Sequence, residues 1–199
     1  VFENAIINNG CQASPAILML KKSRKESLMK IETIETSRLF LRSFTKKDVD
    51  FAVSIWNDPD MGEYLSDPSL ENMDDEYRAM LETLGEDPEC CYLISESRNT
   101  GERIGTCSFI PGKDGITYDL AYCVHKNHWR KGYATEMVKG MMDYAKKKGA
   151  RRFTVYVNKE NTASNGVMKK LGFSVIGEKS YHKRGTELTY SDFLYEKIL

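Results

Sequence analysis

The chain has 199 residues, enough for one domain with a real core, and its 41% apolar and 29% charged content is that of an ordinary globule. Its 29 basic and 29 acidic side chains cancel, so no global field draws it to nucleic acid or to an anionic membrane. No apolar run approaches a membrane span, no signal-peptide pattern is present, and the five cysteines (Cys11, Cys90, Cys91, Cys107, Cys123) form no CxxC pair; we expect a cytoplasmic protein with reduced thiols.

Residues 1–28 carry no sustained period, and organised pattern begins only at Met29. We expect this leader to be upstream or non-native sequence outside the fold. Lys25-Glu26 can be encoded by AAGGAG, a bacterial ribosome-binding sequence, two codons ahead of Met29. Arg38 to Phe44 alternates polar and apolar residues and predicts a strand. Thr45 with Asp48 makes a capping-box start, followed by a helical stripe of Val49, Ala52, Val53 and Trp56 that Asn57-Asp58-Pro59 ends. A turn at Met61 to Leu65 follows. Asp67-Pro68-Ser69 then introduces a second helix through about Leu84.

Cys90 to Ser95, Arg103 to Ile110 and Ile116 to Val124 predict three strands in an antiparallel meander, joined at Asn99 to Glu102 and at Pro111 to Gly115. A helix from Gly132 turns Ala134, Met137 or Val138, Met141 and Ala145 inward and ends at Lys146 to Lys148, with Gly149 beyond. Arg152 to Val157 is a strand, and Thr162 to Leu171 a short helix with Ala163, Val167 and Leu171 inward. Phe173 to Tyr181 and Glu187 to Ile198 close the chain as a strand pair. The order describes an α/β (mixed α+β) domain over 29–199, a sheet with helices on its faces.

One stretch stands out chemically. Between Val124 and Val138 a strand passes through a polar loop into a helix, and Arg130 and Lys131 sit at the helix start, where the macrodipole is already positive. Cations there, beside Gly132, suit a seat for an anion bound by free N–H groups. Zinc at Cys123, His125 and His128 lacks a fourth partner, and no metal is expected.

Trp129-Arg130-Lys131-Gly132-Tyr133-Ala134, with Thr135-Glu136 after it, resembles the Q/R-x-x-G-x-G/A segment of the GNAT superfamily of acetyl-CoA-dependent N-acetyltransferases. Trp129 in the first place departs from the general pattern and looks like the form found in the RimJ/RimL-type branch, which acetylates ribosomal-protein N-termini and other small amines. Asn161-Thr162-Ala163-Ser164 followed by Lys170-Leu171-Gly172-Phe173, and Thr36-Ser37-Arg38-Leu39-Phe40-Leu41-Arg42 at the front, are similar to that branch's other signatures. The resemblance spans roughly Met29 to Leu199. It implies a GNAT fold: a central, mixed, mostly antiparallel sheet of six to seven strands flanked by about four helices.

The resemblance also implies roles. Acetyl-CoA is the cosubstrate, its pyrophosphate held by backbone N–H groups over Arg130, Lys131, Gly132, Tyr133, Ala134 and Thr135, next to Trp129. Its arm runs beside Tyr122, Cys123 and Val124, where an N–H near Cys123 or Val124 polarises the thioester carbonyl. Asn161 is a cofactor-side ligand. Asp119 is the candidate base, facing the acceptor amine; Ser164 is the candidate acid, because the Tyr many family members place four residues later is here Met168. Lys169 and Lys170 are further candidates for the adenosine phosphates.

The acceptor is a small-molecule amine or a protein N-terminus, with neither nucleic acid nor membrane as partner, and the protein is a monomer or homodimer. Its recognition falls to Trp56 to Leu84 and to the loop Tyr181 to Thr186, the least patterned parts. The acidic tract Asp58 to Glu76 is either a solvated face or a surface for a cationic acceptor. The competing expectation is a catalytically weak CoA-binding sensor or interaction protein of the same fold.

Overall fold

The computed structural model describes residues 31–86 and 91–199. The leader expected over 1–28, with Cys11, and Cys90 lie outside the described residues. One eight-stranded sheet runs in the order β1-β2-β3-β4-β5-β6-β8-β7. Its strands are β1 Ile34–Glu35, β2 Leu39–Ser43, β3 Cys91–Ser97, β4 Arg103–Pro111, β5 Thr117–Val124, β6 Arg152–Asn158, β7 Ser174–His182 and β8 Thr189–Ile198. Every neighbouring pair is antiparallel except β5 with β6. The count exceeds the six to seven strands expected because β1 is two residues long, too short to show a period of two.

Four α-helices cover the sheet among the described residues: α1 Val49–Trp56, α2 Asp75–Glu82, α3 Tyr133–Lys147 and α4 Thr162–Lys170. Two cores form, one on each face. On one face, Met137, Val138, Met141, Met142 and Ala145 of α3 and Met168 of α4 pack against Leu120, Phe153, Val155 and Val157. On the other, Ala52, Val53, Ile55 and Trp56 of α1 and Tyr77 and Leu81 of α2 pack against Phe44 and Ile94. Trp56 also donates its Nε1–H to the Thr106 hydroxyl at 3.0 Å, which satisfies its one polar atom inside that core.

Two helices differ from expectation. The helix expected from Ser69 to Leu84 is split into a 3₁₀ turn, Leu70–Asn72, and α2. Asp74 decides the break: its carboxylate accepts from the Tyr77 N–H at 2.7 Å, so the α-helix starts there. In α4 and at its C-cap, Val167 and Leu171 pack partly buried against the core as expected, but the buried residues of the helix are Asn165 and Met168, and Ala163 is exposed. Asn165 is buried because all its polar atoms are used. It donates to the carbonyls of Asn158, Lys159 and Asn161 and accepts from the Tyr195 hydroxyl.

Candidate active site

The central opening follows from the register. Parallel pairing of β5 with β6 is confined to Thr117 with Arg152, Tyr118 with Phe153 and Asp119 with Thr154. β4 meanwhile pairs with β5 up to Val124. From Leu120 onward, therefore, β5 has a free edge on the β6 side. The Cys123 carbonyl faces β4, where a Cβ on Gly105 would come within 2.1 Å of it, and the His125 N–H donates to Ile104 on the same strand at 2.9 Å. Backbone groups alternate along a strand, so the N–H groups of Tyr122 and Val124 face the opening and that of Cys123 faces β4. Of the two N–H candidates for polarising a carbonyl in the opening, only Val124's points there. The Val124 carbonyl is taken by the Trp129 Nε1–H at 2.7 Å, which folds the polar loop back over the strand end.

That loop enters α3 through two left-handed residues, Arg130 at φ 60° and Gly132 at φ 80°. The first bond of the helix runs from the Glu136 N–H to the Gly132 carbonyl at 3.2 Å, so the N–H groups of Tyr133, Ala134 and Thr135 have no helical acceptor. Arg130, Lys131 and Gly132 are exposed and Tyr133, Ala134 and Thr135 half-buried. Free N–H groups, a positive dipole end and two exposed cations together make a seat for a diphosphate. Lys131 additionally ties the loop by donating to the Asn127 carbonyl at 2.9 Å.

Facing the opening from α4 is Ser164. Its hydroxyl lies 2.6 Å from the Tyr122 hydroxyl, a contact that bridges β5 and α4. The Tyr122 phenol is pushed up to about 12 by burial, against the hydrogen bond shared with Ser164 that lowers it, so it stays protonated at neutral pH. Asn161 caps α4, its side chain accepting from the Ser164 N–H at 3.0 Å. Asn165 in turn straps the loop before α4, which makes it a support that sequence patterning missed: a polar residue on a helix face reads as solvent-facing. Met168 is fully buried in the core beside α3 and takes no part in the opening.

Asp119 lies on the opposite face of β5 from Tyr122, where the strand pairs with β6. The carboxyl is half-buried and accepts from the Thr154 hydroxyl at 3.1 Å. Burial raises its pKa to about 7; the Thr154 and Leu120 hydrogen bonds and the Lys179 charge pull in the other direction. On that same face the segment after α1 is held by the β7–β8 hairpin. The Lys183 ammonium donates to the carbonyls of Gly62, Glu63 and Leu65 at 2.6, 2.9 and 3.3 Å. The Tyr181 hydroxyl donates to the Tyr64 carbonyl at 2.7 Å, and the Arg184 N–H to the Ser66 carbonyl at 3.0 Å. The two regions expected to read the acceptor are thus one unit.

Part of the acidic tract is spent on structure, while Glu63, Glu71, Asp75 and Glu76 stay exposed. Asp58 accepts from the N–H groups of Asp60 and Met61 and pairs with Lys126, while Asp67 is buried against the Tyr77 hydroxyl at 2.9 Å. His125 stacks on Phe51, and the His128 Nε2 faces Glu102 at 3.3 Å. Lys169 and Lys170 are exposed at the far end of α4 from Ser164. Among the described residues, no helix is long and apolar enough to cross a membrane.

The profile of the acetyltransferase (GNAT) domain matches residues 38–174, which contain all of these groups except the hairpin. The uncharacterized N-acetyltransferase p20 of Bacillus licheniformis is 30% identical over 156 residues, covering 74% of this chain and 85% of its own length. YoaA of Bacillus subtilis, another uncharacterized N-acetyltransferase, is 29% identical over 151 residues, 72% of this chain and 84% of that protein. A GNAT-family acetyltransferase from Bacillus anthracis shares the fold with a TM-score of 0.71 at 21% identity, covering 84% of this chain and 98% of that one. RimL, a ribosomal-protein α-N-acetyltransferase, does so with a TM-score of 0.69 at 20% identity over 84% of this chain and 94% of its own. The opening beside β5, the helix start at Gly132 and this kinship agree: the chain belongs to the GNAT acetyltransferases and is an acetyl-CoA-dependent acyltransferase.

Proposed function

We propose that this acetyltransferase moves the acetyl group of acetyl-CoA directly onto a primary amine, a protein N-terminal α-amine or a small-molecule amine, in a ternary complex. The observation that carries this reading is the arrangement around β5. Asp119 lies on one face of the strand, the Tyr122–Ser164 hydroxyl pair on the other, and the free edge between them. Bound acetyl-CoA supplies an activated thioester. The N–H groups of Tyr133, Ala134 and Thr135 hold its pyrophosphate, with Arg130 and Lys131 adding charge. The N–H groups of Tyr122 and Val124 give the pantetheine arm strand-like partners, and that of Val124 polarises the carbonyl.

From the acceptor face Asp119 takes the ammonium proton, directly or through one water, once its carboxyl is ionised. The amine nitrogen then forms its bond to the carbonyl carbon as the carbon–sulfur bond breaks. Ser164 gives its proton to the departing sulfur and is reprotonated, through water, by the second proton that the newly acylated nitrogen sheds, while the Tyr122 hydroxyl orients the serine. Met168, in the place of the usual tyrosine, packs the core instead, so the acid function falls to Ser164. Such chemistry works by positioning and proton transfer and calls for no metal. A cytoplasmic monomer or homodimer is the setting we propose, without nucleic-acid or membrane partners.

The test is free-thiol release from acetyl-CoA in the presence of a panel of small amines and N-terminal peptides, run beside calorimetric titration with CoA. Acetylation of at least one acceptor, confirmed by mass, supports the reading. Tight CoA binding without turnover of any acceptor replaces it with the CoA-binding sensor.

A further inference from the structure

Two sequence signatures have as yet no task in the chemistry, the Thr36-Ser37-Arg38 opening and the Glu136 that follows Gly132 to Thr135. They meet in space. Glu136 Oε1 accepts from the Thr36 hydroxyl at 2.7 Å, the Ser37 hydroxyl at 2.9 Å and the Arg38 N–H at 2.7 Å. Its Oε2 accepts from Arg38 Nε at 2.7 Å and lies 2.7 Å from the terminal guanidinium nitrogen. The other end of the guanidinium donates to the Lys131 carbonyl at 3.0 Å, and its centre lies 4.5 Å over the Tyr133 ring.

Arg38 therefore grips the loop on both sides of Gly132, at the Lys131 carbonyl before it and at Tyr133 and Glu136 after it. That loop needs a grip. Arg130 holds a left-handed conformation that a non-glycine residue adopts only when its surroundings impose it. Charge gives a second reason. A carboxylate in the first turn of α3 competes with any anion for the positive helix end. Burial alone would raise the Glu136 pKa, yet its bonds from Thr36, Arg38 and Ser37 bring it below the usual range, so it is ionised. Arg38, whose Nε and Nη2 both converge on Oε2, is what neutralises it.

We propose that Arg38 is the positioning residue of the diphosphate seat: it holds the Arg130–Gly132 backbone in its left-handed turn and cancels the charge of Glu136 beneath the seat. This rests on the acetyl-CoA reading above. The experiment is calorimetric titration of coenzyme A into wild type, Arg38→Ala, Arg38→Lys, Glu136→Gln and the Arg38→Ala/Glu136→Gln double variant, with thermal melts of each. Arg38→Ala is expected to raise the coenzyme A Kd roughly tenfold, as the carboxylate left uncancelled beneath the seat would. Arg38→Lys should recover only a minor part, because a single ammonium cannot meet Oε2 of Glu136 and reach the Lys131 carbonyl as well. The double variant should bind more tightly than Arg38→Ala, because the uncancelled carboxylate is gone.

An unchanged Kd in Arg38→Ala, full recovery by lysine, or affinity losses that follow the melting temperature across all variants overturns the proposal. Wild type failing to bind coenzyme A at all overturns the cofactor reading and this inference with it, a result distinct from each of these.

Discussion

The two sides of β5 are built from different materials. On the side we propose for the cofactor, the N–H groups come from one continuous stretch, Trp129 to Thr135, which Arg38 braces from the β1–β2 turn. The acceptor side we propose is assembled from Asp119 on β5, Thr154 on β6, the segment after α1 and the β7–β8 hairpin, joined by contacts between residues up to 121 positions apart. A ligand common to a whole family can be read by backbone and a short motif. A ligand particular to one enzyme must be read by side chains that the fold gathers from distant places.

The comparison predicts that damage to each side separates the two ligands. The largest effect belongs to Gly132→Glu. A carboxylate at the helix start repels the diphosphate, and coenzyme A affinity should fall on the order of 10³-fold. The left-handed φ of 80° at this position adds a folding cost of about 1–2 kcal/mol, visible as a modest fall in melting temperature. Calorimetry with coenzyme A beside a thermal melt checks both, and unchanged affinity removes the diphosphate assignment. Next comes Ser164→Ala, expected to lower kcat roughly 10²-fold, as loss of a general acid does. Its KM for acetyl-CoA should hold within a few-fold, because the N–H groups of α3 are untouched. A loss in KM alone would make Ser164 a binding group.

How much of this was legible follows the same division. The strand-to-helix stretch and its glycine are local, so sequence pattern reached them, though the φ of 80° at Gly132 came only from the structure. Periodicity records which side of an element is buried, and it says nothing about which elements face each other. The Tyr122–Ser164 contact joins residues 42 apart, and Glu136 meets the β1–β2 turn from about 100 residues away; neither leaves a local trace. Patterning also treats polar residues as outward. It therefore put Ala163 inward and missed Asn165 on α4, where Asn165 is buried with every hydrogen bond made, and it began α2 ahead of Asp74, whose side chain is a cap. The role of Met168 was half legible: its replacement of the usual tyrosine could be seen, and its burial in the core could not.

A carboxylate of ordinary pKa would be ionised throughout the working range, and its loss as a base would be felt most below neutrality, where amines are most protonated. Burial changes that expectation for Asp119, whose pKa is raised to about 7. As a base it must be ionised, so its contribution is present above about pH 7 and lost below it. Asp119→Asn should accordingly lower kcat by roughly tenfold near pH 8, the modest size reflecting the neutral amine that reacts without a base. The two pH profiles should converge below about pH 6, and the wild-type limb near 7 should vanish in the variant. A deficit of equal size at every pH would leave Asp119 as a positioning residue.

The smallest effect, and the sharpest separation of the two sides, is expected at Lys183. Burial lowers its pKa, while Asp67 and Glu63 raise it, and its three donors are all spent on the segment 62–65. Lys183→Met keeps the apolar stem and removes those donors, leaving three carbonyls to find water. Hydrogen bonds from a charged group contribute about 1.5–3 kcal/mol, and solvent reaches part of this site, so the lower end applies and the melting temperature should drop by a few degrees. Loosening the segment costs order in the region we propose for the acceptor, while the N–H groups at Gly132 pack with α3 on the other face of the sheet and are linked to the segment after α1 through Lys126. The acceptor KM should rise roughly three- to fivefold, the coenzyme A Kd should stay at its wild-type value, and the pH limb of Asp119 should remain. A parallel rise in both constants would mean that the hairpin supports the whole opening, and the division between a backbone-read donor side and a side-chain-read acceptor side would fail at that point.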